Sequence, residues 1–311
     1  MVKREDFTFD SRDQKTKIHA IKWLPETDHV VCVVQLIHGM SEYIGRYDEF
    51  ARYLAAHGMV VVGDDHLGHG ETARESGMPL GYFCEQDPAT VVVRDVHRLK
   101  KITQQQYLGV PYIIIGHSMG SFILRNYLMR YGKGIDGAII LGTGNQSKAL
   151  VSQAHFLTNA LTVFQGKKHK SLFINALAFG PYEKRISNKR TTMDWVSSDA
   201  DVVDKYMEDP LCGFTFTLNG FATLFELIRR TQDMKNLEAI PKKLPILIAS
   251  GDEDPVGDYG EGPRKLYDTY LNLDLTRVQL KLYNGCRHEL LNEGIKEEVY
   301  KDLLNWILSV V

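Results

Sequence analysis

The chain has 311 residues, 44% hydrophobic and 24% charged, with 26 Gly and 10 Pro, a composition that excludes disordered, fibrous and low-complexity classes. Lys and Arg total 37 against 39 Asp and Glu, a formal net charge of -2, which leaves no basic footprint for nucleic acid. No apolar run approaches the ~18 residues of a membrane span, and the start MVKREDFTFD lacks the apolar stretch of a signal peptide, so we expect a cytoplasmic protein whose scattered Cys32, Cys84, Cys212 and Cys286 are packed free thiols.

Residues 7–14 and 17–25 read as a strand hairpin, and VVCVVQLIHG as a nearly continuous apolar strand ending in a loop. Strands of that kind suit a parallel sheet covered on both faces. The pattern then repeats. YDEFARYLAAHG (helix) precedes MVVVGDDHLGHG (strand and loop), residues 88–107 (helix) precede VPYIIIGHSMG (strand and turn), and SFILRNYLMRYG (helix) precedes IDGAIILGTG (strand). Alternating elements imply an α/β fold with a mostly parallel sheet flanked by helices. The rhythm stops near residue 143 and resumes at KLPILIASGDEDP, so residues 144–240 read as a helical insertion over one end of the sheet, with FATLFELIRRTQDM its clearest helix. A helix (GPRKLYDTYLN), a strand and loop (RVQLKLYNGCRHE) and a last helix (EVYKDLLNWILSVV) complete a single domain, 1–311.

Gly116-His117-Ser118-Met119-Gly120 lies directly between the strand YIII and the helix SFILRNYLMRYG. A serine there must take a cramped backbone conformation, and glycines two residues to either side remove the Cβ atoms that would block the turn. Ser118 is therefore the candidate nucleophile, exposed at a helix N-terminus where free N–H groups favour developing negative charge.

A serine hydroxyl is a poor nucleophile at neutral pH and needs a histidine base, itself oriented by a carboxylate. His288, in YNGCRHELLNE, is the one histidine after residue 169 and follows a predicted strand. For the acid, SGDEDPVGD offers Asp252, Glu253, Asp254 and Asp258; Pro255 biases Asp254 toward extended backbone, but periodicity leaves Asp254 and Asp252 both open. Backbone N–H groups of Met119, after the nucleophile, and Met40, after His38-Gly39, are the candidates to hold an oxyanion.

These residues resemble the catalytic set of the α/β-hydrolase superfamily, and finer motifs resemble its monoacylglycerol lipase and lysophospholipase branch, grouped with the serine aminopeptidase-like hydrolases. They are HGMSEYIGRYDEFARYLAAHG, DDHLGHG (64–70), GHSMG (116–120), SGDEDPVG (250–257) and CRHELLNE (286–293). The resemblance implies the α/β-hydrolase fold, Asp254 as the triad acid, ester hydrolysis through an acyl-enzyme, and no metal or organic cofactor. It also accounts for His66 and His69 as part of a structural loop, not a metal cluster. In DDHLGHG the chain departs from the family pattern only downstream, with Glu71-Thr72 where a residue and Ser are usual.

The resemblance further implies that the insertion is a lid for a single acyl chain, with Phe214, Phe221, Leu224 and Phe225 as candidate substrate contacts. The expected partner is a small lipid-like ester, monoacylglycerol or lysophospholipid, without nucleic acid or stable membrane insertion; Lys167–Lys170 could give transient contact with an anionic surface. Three alternatives stand beside this. They are a carboxylesterase for short or phenolic esters, an aminopeptidase using Asp194, Asp199, Asp201, Asp204, Glu208 or Asp209 to hold a free amine, and a non-enzymatic binding module.

Overall fold

The computed structural model describes residues 2–186 and 189–311; residues 187 and 188, within the predicted insertion, lie outside the described residues. Among the described residues eight strands form one sheet: β1 (Lys3–Asp10), β2 (Lys17–Leu24), β3 (Val33–Ile37), β4 (Val60–Asp64), β5 (Tyr112–His117), β6 (Gly137–Leu141), β7 (Ile246–Gly251) and β8 (Val278–Tyr283). Their order is β1-β2-β4-β3-β5-β6-β7-β8. The β1–β2 hairpin is antiparallel and β2 meets β4 antiparallel, while every pair from β4 to β8 is parallel.

The central strands are buried at every position because both faces are covered. In β5, Ile114 packs into one core and Ile113 and Ile115 into the other; Val60 and Val62 of β4 are likewise separated from Val61. Two helices, α1 (Asp48–Ala56) and the last, Lys296–Val310, cover one face. On the other lie α3 (Pro88–Gln106), α4 (Met119–Tyr131) and the helix Glu261–Asn272, with α2 (Gly70–Ser76) following β4.

Among the described residues between β6 and β7 the chain makes five α-helices: α5 (Lys148–Gln165), α6 (Leu172–Phe179), α7 (Ala200–Glu208), α8 (Leu218–Arg230) and α9 (Met234–Leu237). The two remaining helices are thus α10 (Glu261–Asn272) and α11 (Lys296–Val310). Helix α8 begins three residues before the sequence reading has it, because the Thr217 side chain accepts the Gly220 N–H and caps it. It stops at Arg230; residues 231–233 form a link, and Asp233 caps the short helix that starts at Met234.

The chain order reverses across β3 and β5, whose register pairs Ile37 with Gly116. A crevice forms where such a reversal leaves the carboxyl ends of neighbouring strands with diverging loops. The loops after β3, β5, β7 and β8 all leave from that end of the sheet.

Candidate active site

Ser118 joins β5 to α4 with φ 54° and ψ -120°, a left-handed conformation that costs a non-glycine residue about 1–3 kcal/mol. The flanking glycines make the turn feasible. A Cβ on Gly120 would lie 2.1 Å from the Ile37 carbonyl oxygen, and one on Gly116 would lie 2.4 Å from that of Gly120. The main chain is held by Ser118 N–H donating to the Leu141 carbonyl at 3.0 Å.

His288 and Asp254 come from the loops after β8 and β7. The imidazole Nδ1 lies 2.9 Å from Asp254 Oδ2, and both side chains are buried. Asp254 Oδ1 accepts the Val256 N–H at 2.9 Å, which fixes the carboxylate. Asp252 is turned elsewhere: its Oδ1 accepts the Gly285 N–H at 2.7 Å and so closes the turn that precedes His288.

Ser118, His288, Met40 and Met119 line one cavity of about 330 Å³. Met119 is the first residue of α4, so its N–H has no acceptor one turn back within the helix. Much of the remaining wall belongs to the β6–β7 excursion, including Phe179, Tyr182, Trp195, Phe214, Leu224 and Ile228. The Trp195 ring centre is 5.2 Å from that of His288.

The four expected substrate contacts divide. Phe214 and Leu224 are on the cavity wall. Phe221 is instead fully buried in the core among Phe179, Phe216 and Phe225, and Phe225 faces a second cavity. The reason is helical phase. Leu224 and Ile228 form one i,i+4 row on α8, and Phe221 and Phe225 form another, turned away from Ser118.

Beneath the elbow is a polar cluster that the sequence reading misses. Glu42 Oε1 accepts the Gly39 N–H at 2.6 Å and the Tyr47 hydroxyl at 2.9 Å, and lies 3.2 Å from His117 Nδ1. Burial opposes its charge, but His117 and Arg46 outweigh that and hold its carboxyl well below the usual carboxylate range. Burial likewise works against a charged His117, and Glu42 prevails, raising it above an ordinary histidine. Arg46 bridges Glu42 at 2.9 Å and Glu289 at 2.5 Å, tying the loop after β3 to the loop that carries His288. Glu42, Arg46 and Tyr47 are near neighbours in the chain, but His117 lies 75 positions from Glu42 and Glu289 lies 243 from Arg46, and only the fold brings them together.

His66 and His69 are buried beside His38, with the His38 and His66 rings stacked at 4.0 Å. Burial, reinforced by His66, pushes His69 down to about 3, so it is neutral at physiological pH. Among the described residues no group of three or more His, Cys, Asp or Glu is placed to hold a metal ion.

A hydroxyl on a strained elbow, an imidazole held by a buried carboxylate and a free helix N-terminus on one cavity form the arrangement used for nucleophilic acyl transfer. Residues 28–294 match the family model described as "Serine aminopeptidase, S33". The chain is 30% identical over 290 residues to the monoacylglycerol lipase of Mycolicibacterium smegmatis, covering 92% of this chain and 91% of that protein. It is 26% identical to human monoglyceride lipase, over 92% of this chain and 84% of that one. Among solved structures, a thermostable carboxyl esterase from Bacillus coagulans superposes with a TM-score of 0.92 at 30% identity, covering 100% of this chain and 99% of that one. The chain therefore belongs to the S33 serine aminopeptidase family of α/β-hydrolases, in its monoacylglycerol lipase branch.

Proposed function

We propose that the protein hydrolyses carboxylic esters of a single acyl chain, monoacylglycerols or lysophospholipids, with Ser118 as nucleophile. The observation that carries this reading is the His288–Asp254 pair at 2.9 Å opening, with Ser118, on an apolar-walled cavity of about 330 Å³, within the size range of small-molecule sites. Ser118 Oγ attacks the ester carbonyl while His288 Nε2 takes its proton; Asp254 holds the Nδ1–H and stabilises the imidazolium. The tetrahedral oxygen is held by the Met40 and Met119 N–H groups. His288 then protonates the departing alcohol, and the same imidazole deprotonates the water that releases the acid. No metal or organic cofactor has a part in this scheme.

In this proposal residues 144–240 act as a lid that selects the acyl chain. The lid is bonded to the chemistry's own loops: Gly213 N–H and the Tyr206 hydroxyl donate to the Ser41 carbonyl at 2.9 and 3.1 Å, and Glu289 N–H donates to the Val196 carbonyl at 2.8 Å.

An aminopeptidase needs an unpaired carboxylate near Ser118 to receive a free amine. Asp194 accepts hydrogen bonds from Thr191 and the Arg190 N–H, Asp204 pairs with Arg190, Asp199 caps α7, and Asp209 accepts the Tyr43 hydroxyl. The acids on the cavity wall are Glu42, Glu183 and Glu289, and each is paired with Arg46 or Lys189. This favours esters over amines.

The protein would meet its lipid at a surface, not by spanning it. Among the described residues no helix is long and apolar enough to cross a membrane, while α5 and α6 leave Phe156, Phe164, Leu172 and Phe173 at least 62% exposed beside Lys168 and Lys170. Four free, buried cysteines suit a reducing cytoplasm.

The test is kcat/KM for p-nitrophenyl and monoacylglycerol esters from two to sixteen carbons. A maximum at eight carbons or longer supports the lipid reading; a maximum at acetate or butyrate selects the short-chain carboxylesterase instead.

A further inference from the structure

A second cavity, about 950 Å³, lies behind the first, between α5, α8 and α10. The two share a wall made of Gln146, Phe179, Tyr182, Leu224, Ile228 and Val256. The second is lined by apolar side chains, among them Val151, Ala154, Leu157, Phe225, Leu237 and Leu266. Exposed Lys148 and Lys265 lie on its rim against a single acid, Asp258.

One residue in this lining is out of place chemically. Arg125, seven residues after Ser118 on α4, is 1% exposed. Its Nη1 donates to the Gly144 carbonyl at 2.9 Å and to Thr143 Oγ1 at 3.3 Å, and its Nε has no acceptor. Among the described residues no Asp or Glu pairs with it; its other close neighbours are the Phe122 ring, 5.4 Å away, and the Tyr270 hydroxyl. A buried guanidinium is ordinarily matched by a carboxylate, since an unpaired charge in an apolar interior is costly. Here the missing partner would have to come from a ligand.

We propose that this cavity binds a long-chain carboxylate, the acid released by hydrolysis, with Arg125 as the anchor for its head group. The apolar lining takes the chain and the guanidinium takes the charge, in the bidentate geometry that suits arginine and carboxylate. Naming that carboxylate as the reaction's product rests on the ester-hydrolase reading; the cavity and its unpaired cation do not. Substrate and product differ in the property Arg125 detects. At the acyl group the ester and the acyl-enzyme are neutral, and only the released acid carries a negative charge there. The site therefore discriminates for product and gives it a destination across the shared wall, away from Ser118.

The experiment is calorimetric titration of the Ser118→Ala protein with decanoate and, separately, with 1-decanol, which has the same chain and no charge. The expected result is one equivalent of decanoate bound at least tenfold more tightly than decanol. Arg125→Gln should erase that preference by weakening decanoate alone, Arg125→Lys should restore most of it, and Ala154→Trp, which fills the apolar part of the second cavity, should exclude both. Equal affinity for acid and alcohol overturns the proposal, as does full preference in Arg125→Gln or undiminished binding in Ala154→Trp. If Arg125→Gln does not fold, the acid-to-alcohol ratio in the otherwise unchanged protein and the Ala154→Trp titration still decide. Binding is read without turnover, so its failure leaves ester hydrolysis standing, and an absence of ester hydrolysis leaves this test intact.

Discussion

His117 Nε2 lies 3.2 Å from the main-chain oxygen of His288. A carbonyl can only accept, so Nε2 carries the proton, and Nδ1 is left to the Glu42 carboxylate and the Tyr47 hydroxyl. The residue before the candidate nucleophile thus holds the loop of the candidate base on one side and the loop after β3 on the other. Three segments that must keep their spacing for acyl transfer are joined through one imidazole.

Glu42→Gln should therefore lower kcat more than it raises KM. It keeps the shape but removes the charge that balances Arg46 and His117, and an oxyanion donor displaced with Gly39 and Met40 costs up to about 10²–10³ in rate. Steady-state kinetics with the protein's melting temperature measured alongside checks this; unchanged kcat in a folded variant would show that the cluster only packs.

Asp254→Asn should reduce kcat/KM on the scale of the ~10⁴-fold loss that the same change causes in serine proteases, a magnitude taken from that case. Asp252→Asn keeps an oxygen for the Gly285 N–H and should change kcat/KM by no more than a few-fold. The reverse ranking would transfer the acid role to Asp252.

Leu224→Ala should alter the chain-length profile of kcat/KM, because it opens the wall beside Ser118 by three carbons' worth of side chain. Phe221→Ala should instead destabilise the fold by about 3–5 kcal/mol, as a large core truncation does, with the profile unchanged. Chain-length kinetics and urea denaturation separate the two. Identical behaviour of the two variants would remove the distinction drawn from their helical phase.

Asp95 is buried, and burial, against hydrogen bonds from the Ser11 hydroxyl and the Arg12 N–H, pushes its carboxyl up to about 7. In the unfolded chain it titrates near 3.9, so from about pH 4 to pH 7 the unfolded state releases a proton that the folded state retains. Stability must fall as pH rises through that window, by up to about 4 kcal/mol, and the penalty is complete above it. The unfolding free energy of Asp95→Asn relative to the parent should accordingly improve between about pH 4 and pH 8. A pH-independent difference would contradict a raised Asp95.

The sheet is legible in the sequence because its central strands are buried on both faces and read as unbroken apolar runs, such as Tyr112–Ile115 and Gly137–Leu141. The elbow is legible because glycines at fixed distances from Ser118 are required by close main-chain approach. Four features resist. The choice between Asp254 and Asp252 depends on which carboxylate the Gly285 N–H claims, a contact between two loops. The phase of α8, which divides Leu224 from Phe221, depends on what packs against the helix. The Glu42–His117–Arg46–Glu289 cluster is assembled from separate loops and leaves no local periodicity, and Arg125 looks in sequence like any helix arginine. The helices between β6 and β7 carry a local signal that the sequence reading leaves unused: Ser147, Ser171 and Asp199 each cap one with a side chain that accepts a following N–H.

The most direct test of the central claim is peptide mass spectrometry of the protein treated with a fluorophosphonate, run in parallel on Ser118→Ala. The account predicts a single adduct on the peptide containing Ser118, loss of ester hydrolysis in proportion to labelling, and neither label nor turnover in a folded Ser118→Ala protein. An adduct on another residue, or ester hydrolysis that survives in Ser118→Ala at the parent rate, would contradict it.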